Sequence, residues 1–330
     1  MARMDDVSRV RERFARFADE EARGRSDVYE EWARGVADDE EIAAIFARIP
    51  AQHRQPPLVF AVTRLVGADV SDYASWAAFV RAEHAAIVAE CTDRTLQTNE
   101  PLRCAVLLPA LSRIDGPVAL LELGASGGLC LFPDRYSYRY SGPSGEAALD
   151  PEDGASPVVL ESESRGAGLP PLRVPEVVWR AGIDLQPRDP RDPEDRAWLT
   201  GLVWPGETGR TERIDAAVGI AAAEPPLLVR GDVADLALVG EVAACAPADA
   251  TLVVTTPGVL PYLPRAERET LIAGIRELDA RWITLDQPSL HAAWTTSIDP
   301  AAWPGGFALA LDGDVLAAAD PLGSWLSWRA

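Results

Sequence analysis

The stretch that most constrains how this 330-residue chain can fold is an apolar run ending in a glycine turn. Val118-Ala119-Leu120-Leu121-Glu122-Leu123 shows no alternation, the mark of a strand buried on both faces of a parallel sheet. It runs straight into Gly124-Ala125-Ser126-Gly127-Gly128, which the pattern predicts to open a helix. Glycines at such a turn let the backbone come close to a ligand, and a helix N-terminus favours negative charge. A tight strand–helix turn with no ligand is the alternative reading of these residues alone.

Around this turn the chain changes style. Residues 1–115 read as helices with no strand pattern, forming an N-terminal cap domain. Val7, Val10, Phe14 and Phe17 recur at helical spacing, as do Ile42, Ile45, Phe46 and Ile49. Asn99-Glu100-Pro101 reads as a helix start, with Asn99 as the N-cap. Residues 116–330 read as an α/β domain. Apolar runs at 227–230, 251–255 and 282–285 alternate with helical patterns at 208–223, 233–245 and 264–279, which predicts a largely parallel, doubly wound sheet. A strand-like, turn-rich stretch at 136–183 is expected to be an inserted hairpin or small subdomain. Phe307–Leu311 and Val315–Ala318 flank Asp312-Gly313-Asp314, a hairpin signal expected to finish the sheet.

Composition removes several chemistries. The chain has no lysine, so all 31 basic residues are Arg, against 51 acids and a net charge of −20. Schiff-base catalysis, a lysine base and a Walker-A phosphate loop are thereby excluded. Such an acidic chain repels a phosphate backbone, and the Arg cluster near the N-terminus is interleaved with acids, so no nucleic-acid partner is expected. The four cysteines, Cys91, Cys104, Cys130 and Cys245, have no C-x-x-C spacing and are expected to be small buried thiols. No segment has the form of a signal peptide or the ~18–20 apolar residues that span a bilayer, so a cytoplasmic location without membrane contact is expected. The oligomeric state is not readable.

The spacing of the turn discriminates between nucleotide cofactors. The dinucleotide fingerprint needs Gly at 124, 126 and 129, and positions 126 and 129 are Ser and Leu. The methyltransferase pattern E-x-G-x-G-x-G departs only at Ser126, with Glu122 in its acidic position. Asp232, closing Arg230-Gly231-Asp232, stands where an acid would face an adenine amino group. Asp184, in Gly182-Ile183-Asp184-Leu185, could accept from ribose hydroxyls. The expected cofactor-binding set is therefore Glu122, Gly124, Ala125, Ser126, Gly128, Asp184, Asp232 and Thr256. The cofactor expected there is S-adenosylmethionine, and the fold expected is the Rossmann-like class I methyltransferase fold: a mostly parallel sheet ending in an antiparallel hairpin, with a helical N-terminal domain.

Leu121–Gly128 followed by Asp134-Arg135-Tyr136-x-Tyr138 resembles the uncharacterised bacterial family called domain of unknown function 2332. His53-Arg54-Gln55-Pro56, Gln97-Thr98-Asn99-Glu100-x-x-Arg103, Trp179–Leu185 with Pro187, Val203-Trp204-Pro205 and Val259-Leu260-x-Tyr262-Leu263 extend the resemblance from about residue 50 to 290. It implies similarity to class I methyltransferases in the cofactor half and a helical cap before it, and carries no settled activity. Relatives usually place a His followed by Ser or Thr before the Val-Leu-x-Tyr-Leu stretch. Here those positions are Thr256 and Pro257.

For chemistry, His291 follows the strand ending at Asp286 and is the expected general base, ahead of His53 in a loop and His84 within a helix. Glu100 and Tyr262 complete the expected catalytic set, although an aromatic in a Val-Leu-x-Tyr-Leu stretch is more often core. Asn99, Arg103, Asp134, Arg135 and Tyr136 are the expected contacts to a small-molecule substrate. No metal is expected, since three His without acids at ligand spacing do not make a zinc site. Methyl transfer needs little beyond placing the nucleophile in line, because the sulfonium carries the activation. Two functions stand: an S-adenosylmethionine-dependent methyltransferase acting on a small molecule, and a catalytically inactive methyltransferase-like binding or regulatory protein.

Overall fold

The computed structural model describes every residue except Met1, Ser144, Ala167, residues 291–293 and Ala330, and the side chains of residues 2–5. The chain divides into two compact units. The first comprises Met1–Thr98 with Pro193–Glu212; the second comprises Asn99–Asp192 with Arg213–Ala330.

The first unit is helical: α1 (Ala2–Phe17), α2 (Asp27–Asp38), α3 (Glu40–Phe46), α4 (Pro56–Val66) and α5 (Tyr73–Asp93). Local signals set their starts. Ser26, Asp39 and Asp72 accept from amides in the first turns of α2, α3 and α5, and Pro56-Pro57 opens α4. The expected apolar stripe of α1 is buried at Val10, Phe14 and Phe17. Its core is aromatic, with Trp32 stacked on Trp76 at 4.8 Å and Phe60 edge-on to both. The later segment closes it: Trp198 and Trp204 join this core, and Trp204 lies 5.2 Å from Phe17 and 5.5 Å from Tyr29. No helix among the described residues is long and apolar enough to cross a membrane.

In the second unit α6 (Arg103–Leu111) precedes β1 (Val118–Leu123). Three strands follow, β2 (Ser137–Gly142), β3 (Gly145–Leu149) and β4 (Val159–Ser164), and then β5 (Val177–Asp184). Helix α7 (Pro193–Gly201) belongs to the first unit, and α8 (Arg210–Ala223) returns the chain to the sheet. The order continues β6 (Leu227–Arg230), α9 (Leu236–Ala243), β7 (Thr251–Pro257), α10 (Arg265–Glu277), β8 (Arg281–Asp286), β9 (Phe307–Leu311), β10 (Asp314–Ala319) and β11 (Trp325–Trp328). All eleven strands form one mixed, mostly parallel sheet in the order β3-β2-β4-β11-β10-β9-β8-β7-β1-β5-β6.

Three expectations need correcting here. No α-helix follows the glycine turn. One 3-10 turn at Leu129–Leu131 leads to Pro133, which has no amide to continue a helix and turns its predecessor away from helical geometry. Second, the stretch 136–183 does contain the expected hairpin, β2–β3, but forms no separate subdomain. It supplies β2–β4 to the far edge of the same sheet and begins β5, the neighbour of β1. Third, the hairpin β9–β10 does not end the sheet. It lies inside it, between β8 and β11.

The run β6-β5-β1-β7-β8 is entirely parallel. From β1 the chain builds outward through β5 to β6, then crosses to β7 and β8 on the other side. The strand order therefore reverses between β1 and β7, where open α/β sheets leave a crevice at their carboxyl ends.

Candidate functional site

The carboxyl edge of this parallel run gathers the loop after β1, Asp184 at the end of β5, Asp232 just past β6, and Asp286 closing β8. The loop is an unusual one. Gly124 and Gly128 take φ of +78° and +71°, and so does the non-glycine Ser126 at +49°. Gly124 is required sterically as well: a Cβ there would lie 2.7 Å from Val259. A non-glycine residue in left-handed geometry carries a strain cost that neighbouring bonds must offset.

Those bonds come from the chain itself. Gly124 and Ala125 N–H donate to the Ile183 carbonyl at 2.8 and 3.2 Å, and Gly128 N–H to Ala125 at 2.7 Å. Ser126 N–H donates to Asp184 Oδ2 at 2.8 Å. The Asn99 amide spans the remaining gap, its Nδ2 donating to Ser126 Oγ at 2.6 Å and its Oδ1 accepting from Gly127 N–H at 2.9 Å. Asn99 is buried and is not the N-cap of α6, a place taken by Leu102. With every amide of residues 124–128 bonded internally and no helix behind, the loop offers no phosphate cradle.

Asp184 is the most specific element of the edge. Besides Ser126 its carboxylate accepts from Gln186 N–H at 2.8 Å, so it fixes both the loop and its own strand end. Asp232 is exposed and caps Ala234 N–H at 2.9 Å. Glu122 is buried on β1 beneath the loop with its Oε2 unpartnered, and burial pushes its carboxyl well above the usual range. Asp286 has neither carboxyl oxygen bonded and is fully buried; burial raises it to about 7 against the partial opposition of Arg103 and Arg268. Arg103 ties the edge together, donating from Nε to Pro321 O at 2.9 Å and from Nη1 to Pro257 O at 3.1 Å. Glu100, also buried, accepts from Leu102 N–H and from Arg213 Nε, both at 3.0 Å.

The remaining sequence candidates stand elsewhere. Thr256 is fully buried and its Oγ1 accepts from Trp282 Nε1 at 3.1 Å, a bond within the sheet's helix-covered face. Asp134 pairs bidentately with Arg180, both bonds 2.7 Å, and Arg180 stands in register with Leu120, the middle of β1. Arg135 pairs with Glu224 at 2.7 Å, and Tyr136 is core, its hydroxyl donating to Leu129 O. The Asp134–Arg180 pair therefore braces the middle of the sheet. Tyr262, in a 3-10 turn after β7, is 66% exposed, not core. His291 lies outside the described residues. In the helical unit His53 Nδ1 meets Arg94 O at 2.7 Å and His84 Nδ1 meets Arg81 O at 2.9 Å.

Asp286 and the Arg103 clamp were not singled out together by the sequence, although Asp286 ends the apolar run 282–285. No group of three or more His, Cys, Asp or Glu that could hold a metal occurs among the described residues. Of the cysteines, Cys91 and Cys104 are buried as expected, whereas Cys130 is half-buried and Cys245 is exposed at the end of α9.

Comparison with known proteins returns one result. The family described as "Uncharacterized protein conserved in bacteria (DUF2332)" matches residues 11–328, nearly the whole chain. No curated protein and no solved structure matches.

Proposed function

The chain belongs to the DUF2332 family, and from that premise we propose that it binds an adenosyl cofactor of the S-adenosylmethionine type and methylates a small molecule. The observation that carries this reading is the bond from Ser126 N–H to Asp184, which sets an acid from the strand beside β1 against the glycine loop. A carboxylate is the acceptor that vicinal ribose hydroxyls call for. Asp232, one strand further out, supports an adenine amino contact. The self-bonded loop favours a cofactor without phosphate, which a dinucleotide is not. The parallel run flanked by antiparallel β9 is in keeping with a methyltransferase-like sheet.

When bound, such a cofactor supplies an electrophilic methyl. The chain's own residues would hold the adenosyl part through Asp184 and Asp232 and exclude bulk water under the Asn99 bridge. Titration calorimetry tests the reading. Saturable S-adenosylmethionine binding is expected, weakened at least about ten-fold by Asp184→Asn through loss of a charged hydrogen-bond acceptor. No binding up to millimolar cofactor overturns it.

A second reading, a methyltransferase-like binding or regulatory protein without transfer, is favoured by the same loop. Its Ser126 and Gly127 amides are already taken by Asp184 and Asn99, so a cofactor finds fewer donors. Formation of S-adenosylhomocysteine with a metabolite pool would refute it. The acidic net charge supports a small-molecule partner over nucleic acid in either case.

A further inference from the structure

The sequence places Cys104 and Cys130 26 positions apart, and the fold brings them together. Cys104 sits in the first turn of α6 and Cys130 in the 3-10 turn just after the glycine loop. Cys104 Sγ lies 3.6 Å from the Cys130 carbonyl, and Cys130 Sγ lies 3.6 Å from the Glu100 carbonyl one turn before Cys104. We propose that Cys130 and Cys104 form a peroxide-reactive dithiol, in which Cys130 is the attacking thiol, Cys104 the resolving one, and the product an intramolecular disulfide.

The asymmetry of the pair assigns the roles. Cys130 is half-buried and so reachable by a small hydroperoxide, while Cys104 is fully buried. The neighbouring Cys104 and the Arg103 guanidinium favour the Cys130 thiolate and outweigh its own burial, whereas burial pushes Cys104 up. A low-lying, accessible thiolate beside a protonated partner is the arrangement that reactive cysteines use. The other two thiols lack it. Cys91 is buried and pushed up to about 12, and Cys245 is exposed but has no second cysteine beside it, its thiol meeting only the Glu241 carbonyl. Two thiols without a third ligand make a poor metal site, and no larger ligand group exists among the described residues.

The chemistry balances. The Cys130 thiolate attacks the terminal oxygen of a hydroperoxide, the O–O bond breaks, and the alkoxide or hydroxide leaves and takes up a proton. Cys130 becomes a sulfenic acid, oxidised by two electrons while the peroxide is reduced. Cys104 then attacks the Cys130 sulfur, the S–O bond breaks and water leaves. The sulfurs must close to about 2.05 Å. The disulfide would tie the end of the glycine loop to the start of α6, so loop geometry would report the redox state.

Peptide mapping of the peroxide-treated full chain tests this. With no lysine present, trypsin cuts only after Arg, leaving Cys104 in residues 104–113 and Cys130 in residues 114–135. The expected result is a linked pair of these peptides, lighter than their sum by about 2 Da, reversed by dithiothreitol and at least ten-fold more abundant than any disulfide containing Cys91 or Cys245. In Cys104→Ser the sulfenic acid should persist at Cys130 long enough for dimedone to capture it. Peroxide treatment that leaves both thiols free in the wild-type chain, or carries Cys130 to sulfinic acid with no linked peptide, overturns the proposal. The wild-type mapping decides the matter even if the variant fails to fold.

Discussion

Asp286→Asn should stabilise the protein, and increasingly so as pH rises. Asp286 is fully buried with both carboxyl oxygens unpartnered, and burial holds it at about 7. In the unfolded chain a carboxyl titrates near 3.9. The folded state therefore binds this proton more tightly than the unfolded state does. Its contribution to stability is greatest below about pH 4 and is lost as pH climbs towards 7. At about 1.4 kcal/mol per unit, the penalty is roughly 1.5 kcal/mol at pH 5 and roughly 4 kcal/mol at pH 8. Asparagine cannot ionise, so it removes the penalty. Any cost of burying its amide is the same at both pH values and cancels. Urea unfolding followed by tryptophan fluorescence, run on both proteins at pH 5 and pH 8, reads the effect directly. The stability gap between variant and wild type should widen by roughly 2.5 kcal/mol between the two pH values. A gap that stays constant or narrows would show that the carboxyl is paired or hydrated, and the reasoning from its isolation would be wrong.

Other expectations follow from single contacts. Asn99→Ala strands the Ser126 hydroxyl and the Gly127 amide, at a cost of about 2–3 kcal/mol; hydrogen exchange at Gly127 should accelerate, and unchanged exchange would contradict the bridge. Gly124→Ala puts a Cβ against Val259 in left-handed backbone and should cost about 2–4 kcal/mol. Adding Val259→Ala should recover part of that in a double-mutant cycle, and strict additivity would rule out the clash. Arg180→Ala leaves Asp134 without its bidentate partner in a largely buried setting, for about 3–5 kcal/mol by denaturant titration. The exposed Arg165–Glu163 pair serves as control, where Arg165→Ala should cost under about 1 kcal/mol. Equal losses at the two sites would refute the distinction.

Most of the parallel run was legible because its strands carry their own signal. The continuous apolar stretches at 118–123, 251–255 and 282–285, each closed by Gly, Pro or Asp, correspond to β1, β7 and β8 within two residues. The β9–β10 turn at Asp312-Gly313 was equally local: both residues take positive φ there. The errors arose where pairing is non-local. Residues 159–164 alternate cleanly between exposed and buried, which marks a strand, but its place is set by β2 on one side and by Trp325–Trp328, far along the chain, on the other. The helix expected after the glycine turn overlooked Pro133, the residue that stops it. At the site, acids at strand ends could be read from sequence, whereas the bridging role of Asn99 and the isolation of Asp286 are properties of packing. No spacing rule reports them.

The chain enters its helical unit twice, and this bears on how the protein is made. Phe17, Tyr29 and Phe60 are translated early, yet Trp198 and Trp204, which complete their core, come after five sheet strands. A ribosome-bound chain ending near Thr98 therefore carries an aromatic slot with nothing to fill it. The N-terminal helices cannot mature as an independent domain ahead of the rest, the order usual for multidomain chains. Their final closure waits on sequence that the ribosome delivers only after the glycine loop and its partner Asp184 have already emerged.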